Sequence, residues 1–391
     1  MDNTETETLS SDDQFWAEIR RNHFLLNPEV TFLQGGSVGP SPRPVVDKVT
    51  ESIRAFESDP LHHQGVFHPL VQEAREKLAA FVGAHPDRIA FVQNTTMGMS
   101  VPAQGLTFKA GDEVLMTDQE YPAVSACWWY IAERYGMTIR TVELPLAIES
   151  PEQIVRAMAS GITPNTRVLV VSHVYWTTGL AIPLTELVRL GRDHGLWVIV
   201  DGAHAVGMVP LRLDDAHPHC YISSCHKWLL SAKGTGMLYV SDDAQDHVRP
   251  LILGRNVYPN PKASRFDMVG TRDMTPFLGL AVAIDFQMSI GWERIRAYCQ
   301  GLAGYLKERV KRIKGARVLT PADPTLSGFI TTFTIDGADL PKLQQQLWHE
   351  ARIETTCFHI RNIPVFRIST HFYNSRQDID KLVSEIQKRL S

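Results

Sequence analysis

Apolar positions along this chain follow two alternating periods. Short, nearly continuous apolar runs occur at RIAFVQ (88–93), DEVLMT (112–117), TIRTVEL (138–144), RVLVVS (167–172), LWVIVD (196–201), CYISS (220–224) and GMLYVS (236–241). Runs of this length rich in Val and Ile predict strands, most of them covered on both faces. Between several of them, apolar residues recur at helical spacing, over 121–135, 151–160 and 184–194. Strand, helix, strand in that rhythm predicts a mostly parallel sheet sandwiched by helices. Beyond residue 276 the texture changes. A long helical stretch (277–314) precedes SGFITTFTI (327–335), a helical piece (339–352) and a final strand near FRIS (366–369). The expectation is an α/β fold with a smaller C-terminal α+β domain. An arm and helix would occupy 1–30, a large domain 31–275, and the small domain 276–391.

The opening MDNTETETLSSDD is polar and acidic, and is expected to fray until Phe15 and Trp16 begin a helix. TFLQGGSVGPSPRP (31–44) reads as a loop from its Gly and Pro content. With 39 Lys+Arg against 43 Asp+Glu, the formal charge of −4 offers no general attraction for nucleic acid or an anionic membrane. No apolar run reaches the length of a membrane span; the run at 278–284 stops at Asp285. The five cysteines are odd in number and widely spaced, which is no disulfide framework. A soluble, cytoplasmic globular protein is the expectation.

Two glycine- or ligand-rich segments invite readings that their neighbours reject. GGSVG (35–39) resembles part of a dinucleotide fingerprint, but Pro40, Pro42 and Pro44 follow, so no helix opens directly from the glycines. HPHCYISSCH (217–226) has the residues of a zinc site. Its Cys220 and Cys225 are separated by an odd number, so on a strand they face opposite sides, and no metal is expected.

Three further segments carry chemistry when taken together. LWVIVDGAHAVG (196–207) ends a buried strand in Asp201 and continues to His204. An acid there either caps the next helix or sits where open parallel sheets place ligands. YISSCHKWLLSAKGTG (221–236) sets Ser224, His226 and Lys227 at a strand end, with Trp228 and leucines following. A lysine on that apolar background is either a solvated surface residue or a desolvated nucleophile. FVQNTTMGMS (91–100) puts Thr95 and Thr96 at a helix start, as a cap or as an anion site. Jointly they offer a phosphate cradle, an amine for an aldehyde, and an acid for a ring nitrogen. Pyridoxal 5'-phosphate requires those three.

On these residues the chain resembles the class V, fold-type I pyridoxal-phosphate enzymes, in the isopenicillin N epimerase-like branch related to cysteine desulfurases and C–S lyases. The resemblance runs from about Thr31 to the end. Its motifs are Asp-x-Ala-His-x-x-Gly (201–207), Ser-x-His-Lys (224–227), GTRD (270–273) and RISTHFYN (367–374). It implies that Lys227 holds the cofactor as a Schiff base and shuttles the Cα proton. Asp201 would pair with the ring nitrogen and His204 would lie near the ring hydroxyl. Thr95, Thr96, Ser224 and His226 would hold the phosphate, and Tyr121 would stack on the ring. Thr271 would reach the phosphate of a neighbouring subunit, in a homodimer with shared sites. Arg367 would clamp the carboxylate of an amino-acid or peptide-linked amino-acid substrate.

Two positions depart from the pattern. Trp176, in HVYWTTGLAIP (173–183), stands where relatives have a small polar residue or Asn, and is expected at the substrate pocket. Cys357 precedes Arg367 at a desulfurase-like position, but its ETTCFHI surroundings do not match such loops, so it is expected in the pocket wall. Proton return to the opposite face would give epimerisation, with Tyr121 or His204 as the second acid/base. Loss of a β-substituent would give a lyase or desulfurase, and protonation on the cofactor a transaminase. A cofactor-binding regulator is the non-enzymatic alternative.

Overall fold

A computed structural model describes residues 11–255 and 257–390. The acidic opening, up to residue 10, lies outside the described residues. A helix then begins at Ser11 and runs to His23, with Trp16 stacked on Tyr298 at 4.4 Å between ring centroids. β1 (Thr31–Phe32) is followed by a loop, and the next helix starts at Arg43 with Pro44 in its first turn. Proline fits there because the missing N–H would have had no partner in the helix.

Seven strands form the central sheet. They are β2 (Ile89–Val92), β3 (Glu113–Thr117), β4 (Thr138–Val142), β5 (Thr166–Ser172), β6 (Trp197–Asp201), β7 (Cys220–Ser224) and β8 (Gly236–Val240), in spatial order β2-β8-β7-β6-β5-β3-β4. Only β8 runs against its neighbours. Side chains alternate between two cores: Leu169, Val171, Val198, Val200 and Tyr221 enter one, and Val168, Val170, Ile199, Cys220 and Ile222 the other. Helices cover both faces, so all of these strands but the edge strand β4 are buried at nearly every position. Cys220 and Cys225 do lie in opposite cores, and the described residues contain no group of three or more metal-ligating side chains.

The helical stretch expected over 277–314 is two helices, Thr275–Ile290 and Trp292–Lys311, broken at Gly291, whose φ is 100°. That left-handed value suits glycine and ends the first helix. Phe277, Leu278 and Ile284 of the first helix pack into the core of the large sheet, although the sequence assigns them to the small domain. After the second helix come β9 (Ala316–Val318), β10 (Ile330–Ile335), β11 (Ile353–Glu354), β12 (Thr356–Ile360) and β13 (Ile363–Ser369). Four of them make an antiparallel sheet ordered β12-β13-β10-β9, while β11 pairs in parallel with β1. Leu33 belongs to the core beneath that sheet, with Phe333, Phe366 and Ile368. The chain therefore enters beside its own C-terminal strands, and loop 35–39 leaves from there toward the central sheet.

Gly207 closes the Asp-x-Ala-His-x-x-Gly motif with a φ of 86°, and a Cβ there would lie 2.6 Å from Leu229 N and Trp228 C. Both the dihedral and the contact exclude a side chain. Gly207→Ala is expected to cost about 3 kcal/mol, read from the urea unfolding midpoint.

Candidate active site

Because the strands are parallel, their C-terminal ends share one edge. β6 ends at Asp201 and β7 at Ser224; Ser172 of β5 pairs with Asp201, and Gly236 of the reversed β8 pairs with Ser224. At this edge Asn94 caps the helix Thr95–Gly105 by accepting the Met97 N–H at 2.9 Å. The Thr95 and Ser224 hydroxyls are 2.8 Å apart, and the Thr95 N–H donates to Ser224 Oγ at 3.0 Å. Thr96 is exposed at the next helical position. His226 Nδ1 is buried without a hydrogen-bond partner, and burial pushes the His226 pKa down to about 4. Two hydroxyls, a helix N-terminus and an orphaned ring nitrogen form a corner suited to an anion.

Lys227 lies beside that corner. It keeps some accessible surface but sits deep in the protein, and desolvation brings its pKa down to about 8; Asp201 opposes this shift and Arg367 reinforces it. Its Nζ is 3.2 Å from His204 Nε2 and 5.8 Å from the centre of the Tyr121 ring. Burial holds the Asp201 pKa above the usual range, against the Ala203 N–H, which donates to Oδ1 at 2.8 Å, and the Lys227 charge. His204 is driven well below the ordinary histidine value by burial and by the Lys227 and Arg367 charges. It is therefore neutral, and its Nδ1 accepts the Trp228 indole N–H at 3.1 Å.

Arg367 reaches the site from β13. Its guanidinium is buried and its pKa falls to about 10 through desolvation. Nη1 donates to the Trp176 carbonyl at 3.2 Å and Nη2 to Ser37 Oγ at 2.8 Å, while Nε has no partner. No described carboxylate forms an ion pair with it. A buried, fixed cation with an unsatisfied donor is an incomplete ion pair, and a substrate carboxylate would complete it. Trp176 stacks on Phe358 at 4.5 Å and meets the Tyr121 ring edge-on at 5.7 Å, so three aromatic rings wall this side.

Cys357 does not line that wall. It pairs with Phe366 across β12 and β13 and packs with the small-domain core, on the face opposite to Arg367, which pairs with Thr356. Burial raises its thiol to about 11. The alternation of a strand puts Phe358, one residue on, at the site instead. Thr271 is exposed, and no hydrogen bond joins it to the Lys227 cluster within the described chain.

Sequence reasoning misses Ser37, Phe358 and Glu120. Ser37 follows two glycines that press against Tyr373, Ser369 and Trp228, so the GGSVG signal marks close packing around a positioning hydroxyl. Glu120 is buried next to Tyr121, bonded to Ser172 Oγ at 2.5 Å and Thr117 Oγ1 at 2.8 Å, with its pKa raised to about 7 by desolvation.

These charges predict how Lys227 titrates. Amine acylation by acetic anhydride, followed by peptide mass spectrometry of the cofactor-stripped chain, should give a midpoint near the value of about 8. Asp201→Asn removes a neighbour that favours the ammonium and should lower that midpoint. Arg367→Gln removes a repelling charge and should raise it.

A profile of the aminotransferase class-V family matches residues 31–382. The chain is 37% identical to an isopenicillin N epimerase of Amycolatopsis lactamdurans, over 96% of this chain and 98% of that protein. It is 33% identical to an isopenicillin N epimerase of Streptomyces clavuligerus, over 95% and 97%. The fold superposes on a variant of the protein C-DES, solved with glycine covalently linked to its PLP cofactor. That match has a TM-score of 0.84 and 23% identity, over 92% of this chain and 97% of that one. A family match spanning most of the sequence, with such relatives across nearly its whole length, establishes that this chain belongs to the aminotransferase class-V family of enzymes.

Proposed function

We propose that this protein is a pyridoxal-phosphate-dependent epimerase acting at Cα of an amino acid, free or within a peptide. One observation carries the reading. A desolvated Lys227 amine and a buried Arg367 guanidinium without a carboxylate partner stand at one sheet edge, beside the buried acid Asp201. The donor set fits the cofactor: the orphaned His226 Nδ1, Thr95, Thr96 and Ser224 suit its phosphate, and Asp201 suits its ring nitrogen. Tyr121 offers a ring to cover it, and His204 a donor for its ring oxygen.

Bound there, pyridoxal phosphate supplies an electron-accepting ring that stabilises negative charge at the substrate's Cα. Arg367 binds the substrate carboxylate, with Ser37 and the Trp176 carbonyl fixing the guanidinium plane. Lys227, half unprotonated only one pH unit above neutrality by its lowered pKa of about 8, removes the Cα proton as general base. Tyr121 returns a proton on the opposite face. The similarity of nearly the whole chain to two proteins named isopenicillin N epimerase supports inversion over elimination. Cys357 faces the small-domain core on a paired strand, which argues against a desulfurase thiol.

Exposed apolar surface supports a second subunit. Leu253 and Tyr258 are 82% and 91% exposed on the segment leading to GTRD, where Thr271 also lies at the surface. Such a patch fits a second copy of this chain. No helix among the described residues is long and apolar enough to cross a membrane.

Incubation with isopenicillin N and an amino-acid panel in D2O should incorporate deuterium at Cα of one substrate, with inversion seen by chiral chromatography. Lys227→Ala should abolish incorporation; full-rate exchange in that variant would refute the assigned base. Arg367→Gln should lower kcat/KM by about 100-fold, the loss expected of a charge-assisted pair. Sedimentation should find a dimer, and Leu253→Asp should shift it toward monomer and weaken cofactor retention.

A further inference from the structure

Trp228 comes directly after the reactive lysine, and its side chain is fully buried. It is held from several sides. Its ring lies at 15° to the His371 ring at 5.8 Å and meets Phe329 edge-on, also at 5.8 Å. Its carbonyl accepts hydrogen bonds from Gln287 Nε2 and His371 Nε2, each at 3.0 Å. His371 itself has one available tautomer, because its Nδ1 accepts the Phe372 N–H at 2.9 Å. The His371 ring is stacked on Tyr373 at 8°. The THFYN part of the C-terminal motif thus clamps, through His371, the residue after Lys227.

The clamped indole points at His204. An indole N–H can only donate, so His204 Nδ1 must carry a lone pair. A neutral imidazole then has its proton on Nε2, which lies 3.2 Å from Lys227 Nζ. Two N–H groups cannot bond to one another, so this contact requires a lone pair on the lysine nitrogen. We propose that Trp228 is a positioning residue: its indole N–H fixes His204 as the Nε2–H tautomer, whose donor holds the Lys227 amine as the free base. The charged groups around the pair are Asp201, which favours the ammonium, and Arg367, which opposes it; the Tyr121 ring lies across from Nζ. Desolvation sets the range in which Lys227 titrates, and the Trp228–His204 relay decides which of its two forms finds a partner. An unlocked His204 could turn a lone pair toward the ammonium instead and stabilise the unreactive form.

The proposal rests on Lys227 being the reactive amine, but its readout needs no substrate. Histidine ring nitrogens in the 15N-labelled full chain, stripped of cofactor and loaded with pyridoxal phosphate, report the tautomer directly; His204 is assigned by the signal lost in His204→Gln. A protonated Nε2 and an unprotonated Nδ1 are expected in both states, and a protonated Nδ1 overturns the proposal. In the stripped chain, Trp228→Phe keeps the ring and loses the donor. It should raise the Lys227 acylation midpoint by roughly one pH unit, the shift equivalent to one ordinary hydrogen bond. In a His204→Gln background, whose amide donates without a lock, Trp228→Phe should leave the midpoint unchanged. An unchanged midpoint in the single variant, or the same rise in both backgrounds, would make Trp228 a packing residue only. If Trp228→Phe does not fold, the unsubstituted chain's nitrogen spectrum still decides. Failure to find Cα exchange would count against the epimerase and leave the tautomer result intact.

Discussion

An amine and a guanidinium desolvated in one corner repel each other, and only one of them can relieve the strain by losing its proton. Arginine keeps its charge under any physiological condition, whereas lysine titrates within reach of neutrality once water is removed. Arg367 therefore keeps its cation and Lys227 moves toward the free amine, driven first by desolvation, with Asp201 limiting how far it goes and the Arg367 charge adding to the shift. The same arrangement yields a nucleophilic base and a waiting anion site. Surrounding groups comply with it: His204 is neutral, and the partners of Arg367 are a carbonyl and a hydroxyl.

Bringing those two cations together takes elements that are distant in the chain. The parallel sheet supplies Asp201 and Ser224 from strand ends, and the antiparallel sheet supplies Arg367 from β13. Between them, Thr332 Oγ1 donates to the Thr177 carbonyl at 2.7 Å, and Thr320 Oγ1 donates to the Thr178 carbonyl. The first bond starts in β10 and the second in the bend just after β9, and both end on the turn just after Trp176, so the carbonyl that orients Arg367 belongs to a segment tied to Arg367's own sheet. Loop 35–39 adds a second tie, since Gly39 donates its N–H to the His226 carbonyl at 3.0 Å while Ser37 holds Arg367. The Arg367 end and the Lys227 end of the candidate site are thus tied to each other by hydrogen bonds between distant segments of the chain.

The central sheet is legible in the sequence because its strands, apart from the edge strand β4, are buried on both faces, which leaves apolar runs that little else explains. Asp201, Ser224, His226 and Lys227 are legible for a related reason: polar residues ending such runs have no structural need to be there. Gly291 is harder to read, since one glycine in a helical pattern is often tolerated and only its φ of 100° reveals the break. Phe358 and Cys357 show the limit more sharply. They are adjacent, and which of them faces the site depends on the register of β12 against β13, a non-local pairing that local pattern does not specify. Ser37 owes its role to a pairing of β1 with β11, more than three hundred residues away, so the glycines before it carry a signal of closeness without naming the neighbour.

That register also bears on how one scaffold separates its chemistries. The lysine, acid and anion corner suit any reaction that begins by removing a Cα proton, and they come from the large sheet alone. A shift of one residue in β12 would exchange a phenyl ring for a thiol beside Arg367. In this chain the ring faces the site, stacked on Trp176. A phenyl ring can neither accept sulfur nor donate a proton, so under the proposed function Phe358 takes no part in moving the proton. Strand pairing far from the lysine thus decides whether a ring or a thiol faces Arg367, and with it which of the two chemistries the proposed site could host.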